Sequence, residues 1–244
     1  MRPDFTKNIP SFFILILSLL LLLNGCALWT QFFGEDEDEE TPTELMDEGL
    51  ERFNSGSFES AIESFQKIKD RYPYSKFAVE AELKMADALY ERALFEEAYE
   101  AYGEFEKLHP KNPKIPYVIF QRGMCDFEQS STIDREQSHI YKAKEEFERL
   151  IKRYRRSPYA KKASKKIREC YASLADHELY VGHFYFRTEK YQAAMDRYLY
   201  LIEHYPDLGQ YYEALDYIKL CKEKIIEEKK EKSWWGKFKQ FVFN

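Results

Sequence analysis

The stretch RFNSGSFESAIESFQKIKDRYP, residues 52–73, sets the reading of this chain. Its large and small apolar residues fall at Phe58, Ala61, Phe65 and Ile68, the spacing of one helical face, and Pro73 follows. The same offsets return in Phe95, Ala98, Tyr102, Phe105 and Pro110, and again in Tyr191, Ala194, Tyr198, Leu201 and Pro206. At a constant distance upstream of each lies a small residue: Gly49, Ala86 and Gly182. A small residue lets two antiparallel helices approach, a large one fills the groove between them, and a proline discourages continuation of the second helix. Each helix pair leaves an apolar face that only the next pair covers, so the pattern predicts an all-α array.

This pattern resembles the tetratricopeptide repeat, which implies a right-handed solenoid of helix hairpins. A degenerate copy begins at Gly123, with Ala143, Phe147, Leu150 and Tyr154 supplying its second helix. Twenty residues separate Gly123 from Ala143, against twelve from Gly49 to Ala61, so eight are inserted, within QSSTIDREQS. Its proline is displaced: YPYSKFA, residues 72–78, becomes YRRSPYA, residues 154–160. The expectation is four repeats over residues 41–232, closed by an end helix from about Leu208 to Lys232. Thr41-Pro42-Thr43-Glu44 forms a capping box with proline at the first helical position. Residues 158–188 contain no breaker except Gly182 and read as one long helix.

Ahead of the repeats, Arg2 and Lys7 precede an apolar run of 12 residues, 12–23. A membrane span needs about 20, so residues 1–25 read as an export signal. Leu23 and Gly25 before Cys26 match a lipobox, and Cys26 is the expected lipidation site. Cleavage there removes 25 of 244 residues and leaves 219. Ala27 after the cysteine favours sorting to the outer membrane. Residues 26–40, with Glu35-Asp36-Glu37-Asp38-Glu39-Glu40, form a solvated acidic tether that reaches roughly 20 Å as a flexible coil. The formal net charge is −6, most of it in that run, so bulk charge argues for neither nucleic acid nor membrane adsorption. The other cysteines, Cys125, Cys170 and Cys221, are expected as buried thiols, with one disulfide left open.

No phosphate loop, HExxH or GxSxG occurs, and no cofactor is implied. His177-Glu178 and His183 come nearest to a constellation, but residues six apart on a helix face different ways. The expectation is a binding scaffold rather than an enzyme. Three features are candidates for binding. Residues 149–168 hold ten Lys or Arg and no Asp or Glu. Within them Arg149, Lys152, Arg153, Arg155, Arg156, Lys161 and Lys162 are a candidate patch for an acidic partner or anionic head groups. The tail, residues 233–244, sets Trp234, Trp235, Phe238 and Phe241 on one helical face. That face suits the open end of the array, a partner or a bilayer surface. The third candidate is the inner face of the first two repeats.

Three further stretches go beyond a generic repeat: HPKNPKIPYVIFQRGM (109–124), the insertion ending in DREQ (134–137), and LADHELYVGHFYFRTEKYQAAMDRYLYLIEHYP (174–206). With them the chain resembles the BamD family, lipoproteins of the outer-membrane β-barrel assembly machinery. The resemblance implies residence on the periplasmic side of the outer membrane. It implies a C-terminal half that holds the periplasmic domain of BamA, and other Bam lipoproteins as partners. It implies an N-terminal half that receives unfolded outer-membrane proteins through their C-terminal signal. The family's arginine in the helix after YxAA forms a salt bridge to BamA, and the matching position is Arg197. The alternative is another tetratricopeptide lipoprotein adaptor, such as a pilus or secretin pilot protein, which would not share the pattern of residues 174–206.

Overall fold

The first helix starts as the capping box requires. The Thr41 N–H donates to Glu44 Oε2 at 2.8 Å and the Glu44 N–H donates to Thr41 Oγ1 at 3.3 Å. These bonds favour the ionised carboxylate, and Glu44 titrates below the usual range, the backbone bond being the larger cause. The computed structural model describes residues 40–130, 136–206 and 208–243. The signal, Cys26 and nearly all of the acidic tether therefore lie outside the described residues, as does much of the insertion.

Among the described residues the chain forms nine helices and no strand. They are α1 (Pro42–Asn54), α2 (Phe58–Arg71), α3 (Ala78–Glu91), α4 (Phe95–Leu108), α5 (Ile115–Glu128), α6 (Ser138–Arg153), α7 (Pro158–Arg187), α8 (Tyr191–His204) and α9 (Gln210–Phe243). Consecutive helices pack on one another, so four hairpins follow in line and α9 lies against α8. The long helix expected over residues 158–188 is α7.

The small-residue rule holds at atomic level. A Cβ placed on Gly49 would lie 2.5 Å from the Phe65 ring, on Gly123 2.5 Å from Phe147, and on Gly182 2.4 Å from Tyr198. Those rings are fully buried, and Ala61, Ala143 and Ala194 are buried beside them. The first hairpin has its own core of Leu45, Met46, Ala61, Phe65 and Ile68, continued by Ala81 of α3. A second continuous core runs from Leu83 to Cys221. Asp87 is buried in it, yet satisfied: Oδ1 accepts the hydroxyls of Tyr102 at 2.8 Å and Tyr117 at 2.7 Å, and Oδ2 meets Lys84 at 3.1 Å.

Two expectations need correction. Proline follows the C-cap of α2, α4 and α8 as expected, but it is not required, because α6 ends in the same way without it. Tyr72, His109, Tyr154 and Tyr205 terminate α2, α4, α6 and α8 with nearly one backbone geometry (φ −130/ψ 52, −123/53, −131/50 and −131/52). Each donates its N–H to the carbonyl four residues back, whether Pro follows, as at Pro73, or Arg155 does. The shared feature is a ring that packs inward. Tyr72, Tyr154 and Tyr205 join the cores, and His109 lies 4.9 Å from Phe105 and 2.7 Å from Glu82. The second correction concerns the end helix, which does not stop near Lys232. α9 has 34 residues and carries on through the aromatic tail.

The three internal cysteines are buried free thiols, so the open disulfide is not formed. Burial pushes Cys125 and Cys170 each up to about 12, and Cys221 upward as well.

Candidate partner-docking site

Arg197 stands on α8 one residue before Tyr198, the ring that fills the gap over Gly182. The helix that buries Tyr198 therefore turns its neighbour outward. The Arg197 side chain is 46% exposed, while its partner Glu178, on α7, is only 10% exposed. Arg197 Nη1 donates to Glu178 Oε2 at 3.2 Å. One nearly buried carboxylate holds one end of the guanidinium, and much of the remaining fork of donors faces solvent. Such an arrangement orients an arginine without using all its donors. The sequence marked Glu178 only as part of a histidine constellation; the structure makes it the residue that positions Arg197.

The basic stretch does not act as one patch. Arg149 is turned into a charge network at the junction of α4, α5 and α6. It donates to Glu106 at 2.7 and 3.0 Å and to Glu146 at 2.9 and 2.5 Å. Arg122 reaches the same carboxylate, Glu106, at 3.3 Å, and Arg153 does so at 3.3 Å. Burial is the largest single influence on Glu106 and would raise it, but the hydrogen bonds and charges of Arg149 and Arg122 together hold it below the usual carboxylate range; burial likewise opposes Arg149, and the two glutamates together raise it. Arg149 thus serves cohesion, while Arg153, held at one end and 49% exposed, keeps donors toward solvent. Lys152, Arg155, Arg156, Lys161 and Lys162 are exposed around the α6–α7 turn, with Lys162 lying 5.1 Å from the Tyr159 ring.

The tail residues are uncovered. Trp234, Trp235 and Phe238 are 57%, 54% and 44% exposed. They touch one another instead: Trp234 stacks on Phe238 at 5.4 Å and Trp235 meets it edge-on at 5.8 Å. Phe241 falls beyond the side chains that are described. The last buried residue among those described in α9 is Cys221, so the tail does not close the array's own end.

On the inner side of the second repeat a cleft of about 480 Å³ opens between α3 and α5. Val79, Leu83 and Tyr117 line it with apolar surface, Lys76 and Lys114 stand beside them with Glu80, and Lys84 is paired with Asp87. Tyr117 and Tyr159 pair across it at 5.5 Å. Sequence reasoning named the inner face of the first two repeats; this cleft takes no residue of the first and draws Tyr117 and Tyr159 from the third and fourth. His183 is held away from any common site with His177. Its Nε2 is 3.6 Å from Glu213, and its ring packs 4.4 Å from Tyr217. No group of His, Cys, Asp or Glu among the described residues has the arrangement of a metal site.

Curated relatives include "Outer membrane protein assembly factor BamD" of Rickettsia prowazekii, 29% identical over 201 residues, covering 82% of this chain and 78% of the relative. The protein of the same name in Neisseria gonorrhoeae is 26% identical over 226 residues, covering 87% and 84%. Among solved structures, the TPR2AB domain of yeast Sti1 in its complex with pHSP90 superposes with a TM-score of 0.44 at 16% identity, over 76% of this chain and 71% of its own. Residues 38–234 match the family described as "YfiO: Outer membrane lipoprotein", most of the chain and every repeat in it, and the chain belongs to that family.

Proposed function

We propose that this protein is a lipid-anchored scaffold of outer-membrane protein assembly, working at the periplasmic face of the outer membrane. The observation that carries the reading is the shared name of the relatives, assembly factor BamD, over four-fifths of the chain. Cys26 supplies the anchor and residues 26–40 the reach. Arg197, aimed by Glu178, offers its free donors to a carboxylate on the periplasmic region of BamA. The cleft between α3 and α5 receives the C-terminal segment of an unfolded outer-membrane protein, its tyrosines and aliphatic lining taking apolar side chains and Lys76 and Lys114 a terminal carboxylate. Exposed Lys152, Arg155, Arg156, Lys161 and Lys162 serve the other Bam lipoproteins. No bond is made or broken; the scaffold acts by raising the effective concentration of substrate beside the barrel catalyst.

The test keeps Arg197 in place. Tyr200 is exposed one turn away on α8, and a photoreactive phenylalanine replaces it with little change of shape. In intact cells this probe should capture BamA, and Arg197→Ala should reduce the capture several-fold. Capture of a secretin or pilus protein instead would move the chain to the pilot class of adaptors.

A further inference from the structure

Among the described residues of α9 none beyond Cys221 is buried, and the composition of this segment differs from the rest of the chain. Beyond Cys221 about 22 residues continue as helix, about 33 Å. Between residues 229 and 239 stand Lys229, Lys230, Lys232, Lys237 and Lys239 against the single acid Glu231, a local charge of +4 in a chain of −6. At the helical repeat, Trp234 and Phe238 share one face and Trp235 lies beside them. Lys230 and Lys237 border that face on one side, Lys232 and Lys239 on the other. All four lysines are exposed, and among the described residues they form one ion pair, a long one from Lys232 to Glu228 at 3.8 Å. Against Trp234 an open notch of about 410 Å³ is walled by Ile226, Lys229, Lys230 and Lys237.

We propose that this end of α9 is a second membrane contact, lying in the head-group layer of an anionic phospholipid bilayer. Indole rings are amphipathic and concentrate at that depth. Lysines placed on both borders of an aromatic face extend their stems over the apolar patch and set their ammonium groups among the phosphates. Charge selects the occupant: the patch is basic on both edges, which complements an anionic lipid surface. It lies on a protein whose family is of the outer membrane, so a bilayer is within reach. The face begins only at Trp234, because Glu227 and Glu231 occupy the same side one and two turns earlier. The contact is therefore a short terminal pad and not a span; no described helix is long and apolar enough to cross a membrane. The pad is independent of the Arg197 contact and does not rest on it.

The sequence allows a local readout. The chain has three tryptophans, and Trp29→Phe leaves only the tail pair to emit. The full chain carrying that change is purified from membranes and returned to vesicles containing brominated lipid. One set is phosphatidylcholine alone, the other phosphatidylcholine with phosphatidylglycerol. Quenching of Trp234 and Trp235 should be at least twofold greater in the anionic set. It should fall to the neutral level when Lys229, Lys230, Lys232, Lys237 and Lys239 are all changed to Gln, with helix content unchanged by circular dichroism. High salt should reduce it in the same way. Equal quenching in both sets would overturn the lipid-charge argument. Absence of quenching in both would overturn the membrane contact and leave a protein as the occupant.

Discussion

The third and fourth hairpins share an interior and differ on the outside. In each a glycine faces a buried ring, Gly123 against Phe147 and Gly182 against Tyr198. Outside, the third hairpin ties its charges to the second, with Arg122, Arg149 and Arg153 converging on Glu106 of α4 and two of them reaching Glu146. In the fourth, Arg197 meets the single carboxylate of Glu178 and leaves an exposed fork. The difference teaches that a cluster of cations is a poor guide to a docking surface. An arginine saturated by two carboxylates is cohesive, whereas one held at a single end is available.

Breaking what the hairpins share should have the largest effect. Gly123→Ala and Gly182→Ala each push a methyl group against a ring that cannot leave the core. Each should lose about 2 kcal/mol, or about 6 °C in Tm by thermal unfolding, although alanine is the better helix former. Similar losses at both sites would establish the common interior; a neutral result at one would show that its ring can yield.

The outer charges come next. Arg149→Ala removes the shortest ion pairs of Glu106 and Glu146, leaving them to Arg122 and Arg153, and should destabilise by about 2 kcal/mol. Arg197→Ala removes one bond of 3.2 Å from a half-exposed guanidinium but leaves Glu178 without this partner, and should cost about 1 kcal/mol, less than Arg149→Ala. In cells the order should reverse, with Arg197→Ala impairing outer-membrane protein assembly more than its stability explains. Equal destabilisation would remove the distinction between cohesive and available arginines.

The smallest effect separates the hairpins by pH. After Gly123 comes Met124, but after Gly182 comes His183, packed on Tyr217 and Tyr198. Burial is the main cause that lowers this imidazole below its ordinary value of 6.5; Arg187 adds to it and Glu213 opposes. The unfolded chain therefore takes up the proton first as pH falls. Stability from this group is complete above about pH 6.5 and declines as the solution is acidified. Segment-resolved hydrogen exchange should show α7 and α8 loosening relative to α5 and α6 between about pH 7 and pH 5. His183→Gln should remove that difference.

The hairpins were legible in the sequence because their rule is local and periodic. Gly49, Ala86 and Gly182 stand at one offset from their rings, and the capping box needs four consecutive residues. The ends of the second helices were read from Pro73, Pro110 and Pro206, yet Tyr154 ends α6 without one. The inward ring before the proline was the true signal, hidden because tyrosine is common throughout. The docking residues were harder. Arg149 meets Glu106 across 43 positions and Arg197 meets Glu178 across 19. Periodicity tells which way a side chain points but not which charge waits on the neighbouring helix. The tail was visible as a helical face, but its lack of cover is a tertiary fact.

The buried thiols bear on how this protein withstands its chemical surroundings. Oxidants and disulfides react with thiolate, and Cys125 and Cys170 reach that form only near pH 12. In an oxidising compartment the interval of risk is the time before the hairpins close, when all three sulfurs are open to mixed-disulfide capture. Once folded, a chain with an odd number of internal cysteines keeps them reduced without any reductant. A slow or interrupted folder would be caught at those positions, so the speed with which neighbouring helices meet also protects the polypeptide from oxidation.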